Sequence, residues 1–284
     1  MSRLNTFFLA GFFLFCGAGN AFSPQTPPAG TPDARGEWLA KQMEDRDTAR
    51  DARVTMRMRL YDRQNRVRER SFTWMSRKGV KGAATGDRTL VRFTSPADIN
   101  GTGFLVWKHS GADDERFLYL PSLGRVRRIA GSETQESFVG SDFTYEDIGG
   151  RKLEDYRYTL VDDAATWTAP DGSKIPVYTL ESRNRDAAAR FPRVISQVRR
   201  DNFIVVHAEI RNKRDEIQKT YDVRKLEKVQ GYWTALDLTM VDALLKTRTE
   251  LTTDKVEYNI GLTDEDFSRR QLERGSSRRP HATR

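Results

Sequence analysis

The sequence of 284 residues has only one cysteine and three histidines. Because Cys16 lies in the N-terminal segment, the rest of the chain offers no disulfide, thiolate ligand or cysteine nucleophile. The histidines, His109, His207 and His281, are not at metal-ligand spacing. The chain also lacks a P-loop, a Gly-rich dinucleotide turn, a GxSxG elbow and an HExxH pair. We therefore expect neither enzymatic activity nor a metal or other cofactor.

Long apolar runs are scarce as well. One uncharged run, Phe7 to Cys16, follows Arg3 and leads into small residues up to Ala21. This pattern is typical of a secretory signal peptide, and the run is shorter than the roughly 20 residues that span a bilayer. We expect cleavage after Ala21, and no lipidation, because Phe15 stands where a lipoprotein signal has a small residue. A secreted chain without mature cysteines fits the bacterial periplasm.

The formal net charge of +8 does not indicate a nucleic-acid-binding protein. The surplus is concentrated after residue 268, and residues 22–268 carry a net charge of only +2. No basic recognition helix and no interleaving of basic and aromatic residues accompany it. We therefore expect no nucleic-acid partner, and a basic C-terminal end that could touch anionic lipid or a protein partner.

Composition divides the chain into four parts. Residues 1–21 are the expected signal peptide, and residues 22–33, rich in Pro and Gly, are expected to form a flexible linker. Residues 34–275 are long enough for one domain with a hydrophobic core. Residues 276–284 are polar and basic and are expected to form a disordered tail.

The periodicity predicts a mainly β domain with a short helix at each end. Thr31-Pro32, followed by apolar residues on one helical face, predicts a helix near Arg35–Glu44. From Val54 to Leu60 apolar and polar residues alternate, and later runs of this kind predict one long antiparallel sheet that curls. Thr263, followed by three acidic residues, predicts a last helix that ends at Gly275.

Large, adaptable apolar side chains are concentrated in the early strands. Half of each strand faces an apolar environment, and methionine suits surfaces that repack around different guests. These side chains are candidates for the lining of a lipid-sized cleft beneath the helices; an ordinary hydrophobic core is the alternative. The candidates are Met56, Met58, Phe72, Trp74, Phe93, Phe104, Trp107, Phe117 and Tyr119.

The segment from Leu120 to Ile129 alternates apolar and cationic residues. Arg125, Arg127 and Arg128 are candidates for contact with lipid head groups or with an acidic partner, because guanidinium groups pair well with phosphates and carboxylates. The same alternation is typical of a solvated edge strand, and both interpretations remain open.

Two neighbouring carboxylates, Glu146 and Asp147, follow the aromatic residues Phe143 and Tyr145. A pair of carboxylates could serve as the general acid and base of a hydrolase. The alternative is a turn that packs its aromatic side chains against the edge of the sheet.

Several motifs occur in a characteristic order. They are Gly101-Thr102-Gly103-Phe104-Leu105, Leu118-Tyr119-Leu120-Pro121-Ser122-Leu123, Arg125-Val126-Arg127-Arg128-Ile129, Gly140-Ser141-Asp142-Phe143-Thr144-Tyr145-Glu146-Asp147 and Gly261-Leu262-Thr263-Asp264-Glu265-Asp266-Phe267. In them, and in Asp98 after Ser95-Pro96-Ala97, the sequence resembles the outer membrane lipoprotein-sorting protein family of LolA-like periplasmic proteins. The resemblance covers nearly all of the expected mature chain.

This resemblance implies an open, strongly curved antiparallel half-barrel, LolA/LppX-like, capped by a few short helices on its concave side. It also implies a cleft for acyl chains, no catalytic residues, and a link to an inner-membrane RND/MMPL-type transporter. We expect a monomeric periplasmic carrier that binds lipid or lipoprotein acyl chains and moves them toward the outer membrane. The alternative is a non-carrier accessory subunit of such a transporter; a hydrolase is a more distant third.

Overall fold

The computed structural model describes residues 26–80 and 85–274. The helices in these ranges are α1 (Pro32–Asp45), α2 (Tyr145–Gly149) and α3 (Arg269–Arg274). The strands are β1 (Asp51–Tyr61), β2 (Val67–Arg77), β3 (Thr85–Ser95), β4 (Gly103–His109), β5 (Glu115–Leu120), β6 (Arg125–Arg128), β7 (Tyr156–Asp162), β8 (Thr166–Thr168), β9 (Lys174–Asn184), β10 (Arg193–Arg199), β11 (Val205–Arg211), β12 (Ile217–Val229), β13 (Tyr232–Asp242) and β14 (Thr247–Tyr258). None of the described helices is long and apolar enough to cross a membrane. The expected signal peptide and the C-terminal tail lie outside the described residues.

One antiparallel sheet contains every described strand. Its order is β6-β5-β4-β3-β2-β1-β14-β13-β12-β11-β10-β9-β7, with β8 added to β9. Because β6 and β7, at the two ends of this order, do not pair with each other, the sheet stays open. A continuous sheet of this many strands curls because of its twist. The predicted open antiparallel half-barrel is confirmed.

The two faces of the sheet carry different apolar clusters. On β4, Phe104 belongs to the cluster on the inner, concave face, and its neighbour Leu105 belongs to a cluster on the outer face. The inner face is covered by α1 at one side and by the chain between β6 and β7 in the middle. The outer cluster is covered by the C-terminal residues Leu262, Phe267 and Leu272. Two of the three helices therefore lie on the inner face, and α3 lies on the opposite one.

The N-terminal helix forms where the sequence predicts it. Thr31 Oγ1 accepts a hydrogen bond from Ala34 N (3.2 Å), and Pro32 occupies the first turn. Threonine is a favoured N-cap residue, and proline is favoured at the first helical position. The helix begins at Pro32, so it includes the last two residues of the predicted linker. The rings of Trp38 and Phe203 form a T-shaped pair with centroids 6.0 Å apart.

The C-terminal helix departs from the prediction. The chain makes a 3-10 turn over Asp264–Phe267, becomes extended at Ser268 and only then forms α3. Trp107 Nε1 donates a hydrogen bond of 2.8 Å to Phe267 O, which takes the carbonyl that a continuous helix would use. The single helix predicted from Thr263 to Gly275 is therefore wrong, because packing on the outer face divides it.

The close approach of α1 to β7 depends on a glycine. A Cβ atom at Gly36 would lie 2.6 Å from Thr159 N, a backbone atom that cannot move aside easily. We expect Gly36→Ala to push α1 off the sheet and to lower the free energy of unfolding by about 1–3 kcal/mol, as overpacking does. Thermal denaturation of this variant and of Gly131→Ala measures the effect.

Gly131 is the matched control, because no atom lies within 4 Å of its Cβ position and its φ is not positive. Equal melting temperatures for the two variants would contradict the close packing of α1 on β7.

Candidate functional site

The inner face of the sheet carries one large apolar cluster. Its members come from both halves of the sheet, from Met58 and Phe72 on one side to Val194 and Ile210 on the other. The sheet therefore curls around this cluster, as the half-barrel requires. Met58 and Phe72 are fully buried.

The other half of this cluster is supplied by the chain between β6 and β7. We call residues 129–150 the inner segment. Five of its apolar side chains are buried in the cluster: Ile129, Phe138, Phe143, Tyr145 and Ile148. The inner segment thus lies where the sequence predicts a cleft for a ligand.

Ring contacts show how closely the inner segment follows the sheet. The centroid of the Phe138 ring lies 5.9 Å from that of Phe93 and 5.4 Å from that of Phe104. Tyr145 lies 5.3 Å from Phe104 by the same measure. These separations are within the favourable range for aromatic pairs, so the inner segment and the sheet form one packed core.

A buried polar anchor holds the middle of the inner segment. The Asp142 carboxylate accepts hydrogen bonds from the hydroxyls of Thr247 and Thr249 on β14, and Asp142 N donates to Thr249 Oγ1 (2.9 Å). Lys219 Nζ donates to Asp142 O (2.5 Å). Burial lowers the pKa of Lys219, which is 5% exposed. The anchor therefore consists of polar groups that are satisfied only while the inner segment is in place.

The turn before this anchor is strained. Val139 and Gly140 both have positive φ, at 51° and 76°, and a β-branched residue disfavours that conformation by roughly 1–3 kcal/mol. Arg70 Nη1 donates to Val139 O (2.5 Å), and burial lowers the pKa of this guanidinium. The contacts to the sheet thus keep a strained turn in position.

Both carboxylates singled out from the sequence have structural roles. Glu146 accepts a hydrogen bond from Tyr156 Oη (2.7 Å), and burial raises the pKa of Tyr156. Asp147 forms a capping box with Thr144 at the start of α2 and accepts a hydrogen bond from Arg151. These contacts favour the packing interpretation over an acid–base pair.

A cavity of about 170 Å³ lies beside the anchor. Its lining includes Leu60 of the apolar cluster, Asp142 of the inner segment, Arg68 near the start of β2, and Leu245 in the turn between β13 and β14. Ligand pockets for drug-sized molecules measure roughly 300–1,000 Å³. This cavity is therefore a small opening next to the cluster, while the inner segment fills the cluster itself.

The structure places the nine cleft candidates on both faces. Those on the inner face are Met56, Met58, Phe72, Trp74, Phe93 and Phe104, and those on the outer face, beneath the C-terminal residues, are Trp107, Phe117 and Tyr119. The first group belongs to, or packs against, the cluster that the inner segment completes. The second group is separated from it by the sheet, so only the first remains a candidate lining in this fold.

The three candidate arginines lie on an edge strand. Arg125 and Arg128 are exposed, and Arg127 donates a hydrogen bond of 2.5 Å to Glu133 Oε1. Strand β6 is the last strand on its side of the sheet, as the edge-strand interpretation expects. Contact of these arginines with head groups or a partner remains a prediction.

The sequence did not predict that residues 129–150 cover the inner face of the sheet. The motif from Gly140 to Asp147 pointed to this segment, because Phe143 and Tyr145 alternate with polar residues that anchor and cap. Periodicity alone does not show which sheet face such a segment covers.

Comparison with known proteins supports the fold and the family. A family model described as an uncharacterized protein matches residues 85–274. A DUF1329 family protein from Desulfovibrio piger is 30% identical, with a TM-score of 0.76 over 86% of this chain and 100% of the other. An outer membrane lipoprotein-sorting protein domain from Vibrio parahaemolyticus is 27% identical, with a TM-score of 0.75 over 84% and 99%.

A more distant structure, a LolA superfamily protein from Nitrosomonas europaea, shares the fold at 17% identity, with a TM-score of 0.61 over 84% of this chain and 98% of the other. No curated protein matches the sequence. The family resemblance seen in the sequence motifs is confirmed by these structures. The chain belongs to the DUF1329 family, and it is similar in structure to an outer membrane lipoprotein-sorting protein domain.

Proposed function

We propose that this protein is a periplasmic carrier that binds the acyl chains of lipids or lipoproteins on the inner face of its half-barrel and moves them toward the outer membrane. The observation that carries the proposal is the inner segment. It buries five apolar side chains against the sheet and is held there by polar contacts, although its turn at Val139 and Gly140 is strained. In this mechanism, an acyl chain takes the place of those side chains.

The energetics of such an exchange are nearly balanced. Each buried methylene contributes roughly 0.8 kcal/mol, so a chain of sixteen carbons contributes about 13 kcal/mol. Burial of a large apolar side chain contributes about 1.5–3 kcal/mol, so the five apolar side chains of the inner segment contribute roughly 8–15 kcal/mol. A near-balance suits a carrier, because cargo must be both accepted and released.

The relatives support the same role. The Vibrio relative is described as an outer membrane lipoprotein-sorting protein domain, and the N-terminal sequence pattern is typical of secretion. A carrier that crosses the periplasm needs a shielded apolar site, and in this proposal the inner face of the sheet becomes that site when the inner segment moves away.

Binding of a fluorescent fatty acid tests the proposal. Trp74 lines the inner cluster, whereas Trp167 packs in a separate cluster that includes Val177 and Val206. We expect Trp74→Ser to weaken fatty-acid binding by about tenfold, because the variant loses the apolar contact between the indole ring and the acyl chain. Trp167→Ser serves as the matched control and should bind like the wild type.

Failure of the wild-type protein to bind the probe, with no lipid extracted from it for mass spectrometry, would contradict the carrier. Full function of Trp74→Ser in cells, with capture of an RND/MMPL-type transporter, would favour the accessory-subunit alternative.

A further inference from the structure

Three hairpin turns lie side by side at one end of the sheet. They are residues 62–66 between β1 and β2, 243–246 between β13 and β14, and 212–216 between β11 and β12. The strand order β2-β1-β14-β13-β12-β11 makes these turns neighbours. We call these turns and the residues next to them the hairpin rim.

Exposed aliphatic side chains are concentrated on the hairpin rim. Leu244 is 52% exposed and Leu245 58%, and Val67 and Ile217 beside the other two turns are also exposed. The two leucines are fixed in place, because Leu244 N and Leu245 N both donate to Asp242 Oδ1 (3.1 and 2.9 Å). Asp242 itself is fully buried. The turn at residues 243–246 therefore exposes two adjacent leucines to solvent in a fixed conformation. Contiguous exposed apolar side chains of this kind often mark an interaction site.

Cationic side chains surround these aliphatic residues. Arg63, Arg68, Lys213 and Lys246 are all exposed, and none of them forms an ion pair with a carboxylate in the part of the chain that the structure describes. Long cationic side chains can extend their charge to a phosphate layer while their stems cover apolar surface. The rim thus combines unpaired positive charge with exposed leucine, the combination that binds at the surface of an anionic membrane.

We propose that the hairpin rim docks onto a lipid bilayer that contains anionic phospholipid. Leu244 and Leu245 enter the boundary between head groups and acyl chains, and the cations contact the phosphates. Arg68 and Leu245 also line the cavity that opens beside the inner segment. Docking through the rim therefore brings this opening to the membrane surface. The proposal rests on the exposed rim and does not require that the cargo be an acyl chain.

Co-sedimentation with vesicles tests the docking. The probe is a vesicle of phosphatidylglycerol and phosphatidylethanolamine, compared with one of phosphatidylcholine alone. We expect the wild-type protein to bind the anionic vesicles, and Leu244→Ser/Leu245→Ser to bind them at least about tenfold more weakly. The matched control is Val161→Ser/Ile260→Ser, which changes two side chains 59% and 40% exposed away from the rim.

A second pair of variants separates charge from apolar contact. Arg68→Glu/Lys246→Glu should weaken binding about tenfold or more and reduce its salt dependence, because each cation near an anionic surface adds to the attraction. Arg53→Glu/Arg224→Glu, which reverses two exposed arginines away from the rim, should bind like the wild type.

If the rim variants and the control variants lost vesicle binding equally, or if the wild-type protein did not bind the anionic vesicles, the docking proposal would be overturned. A wild-type dimer that Leu244→Ser/Leu245→Ser converts to a monomer, with vesicle binding unchanged, would assign the rim to a second copy of the chain instead. Fatty-acid binding in the same variants distinguishes the two proposals: loss of docking with fatty-acid binding retained leaves the carrier intact.

Discussion

A disulfide between positions 106 and 149 is expected to abolish acyl-chain binding, and its reduction is expected to restore it. Gly149 lies in α2 of the inner segment, and Val106 lies on β4 beneath it. The Cβ position of residue 149 is 3.1 Å from Val106 Cγ2, so a sulfur at that place is within bonding reach. The double variant Val106→Cys/Gly149→Cys, made in a Cys16→Ser chain, contains no other cysteine.

The expected effect is large because the disulfide prevents the proposed exchange of the inner segment for an acyl chain. If the acyl chain must replace the inner segment, a covalent link between that segment and the sheet removes the competent state. A cross-link that opposes opening by about 3 kcal/mol lowers the apparent affinity by more than a hundredfold. The reduced form of the same protein is the control, because it has the same substitutions and differs only in the bond.

The measurement is a titration with fluorescent fatty acid under oxidising and reducing conditions. Equal affinity of the oxidised and reduced forms would show that cargo binds without movement of α2. In that case the inner segment is a permanent part of the core.

Asp142→Ala is expected to lower stability and raise affinity at the same time. The substitution removes the acceptor of two threonine hydroxyls, and the hydroxyl of the fully buried Thr249 then has no acceptor for its proton. Loss of buried hydrogen bonds to a charged group destabilises by about 2–4 kcal/mol. Because only the closed arrangement uses this anchor, the loss shifts the population toward the open one, and fatty-acid affinity should rise by about tenfold.

Urea denaturation and probe titration of the same preparation check both effects. The control is Asp254→Ala, which removes an exposed pair with Arg57 and should change stability by less than about 1 kcal/mol. A parallel fall of stability and affinity in Asp142→Ala would contradict the anchor's role and would point to Asp142 as part of the ligand contact.

Most of the fold could be predicted from the sequence because the alternation of apolar and polar residues is regular. From Val54 to Leu60 the pattern is that of a strand with one solvated face, and β1 forms there. Strand β8, with only three residues, escaped this reasoning because so short a run has no readable period.

The division of the cleft candidates between two faces has a physical reason. Strands β4 and β5 carry nearly continuous apolar runs, Gly103 to Trp107 and Phe117 to Leu120, as strands buried on both faces do. These runs therefore indicate that other parts of the chain pack on both faces of β4 and β5. The C-terminal residues pack on the outer face. Phe104 and Trp107 are three residues apart on β4, so their side chains lie on opposite faces of the sheet.

The inner segment could not be placed from the sequence because its position depends on contacts far apart in the chain. Asp142 meets Thr249, and Arg70 meets Val139 O, only after the sheet has curled. The Thr144–Asp147 capping box favours the start of α2 locally, but it does not determine which face of the sheet α2 covers.

Hydrogen exchange of the inner segment during fatty-acid binding tests the central claim most directly. In the structure, Glu146 N donates to Thr134 O (2.8 Å) and Phe138 N to Phe143 O (2.8 Å), so both amides are protected. Saturating fatty acid should increase exchange in residues 129–150 and leave the β12–β13 hairpin unchanged. Saturable binding that leaves exchange in residues 129–150 unchanged or slower would contradict the replacement of the inner segment by cargo.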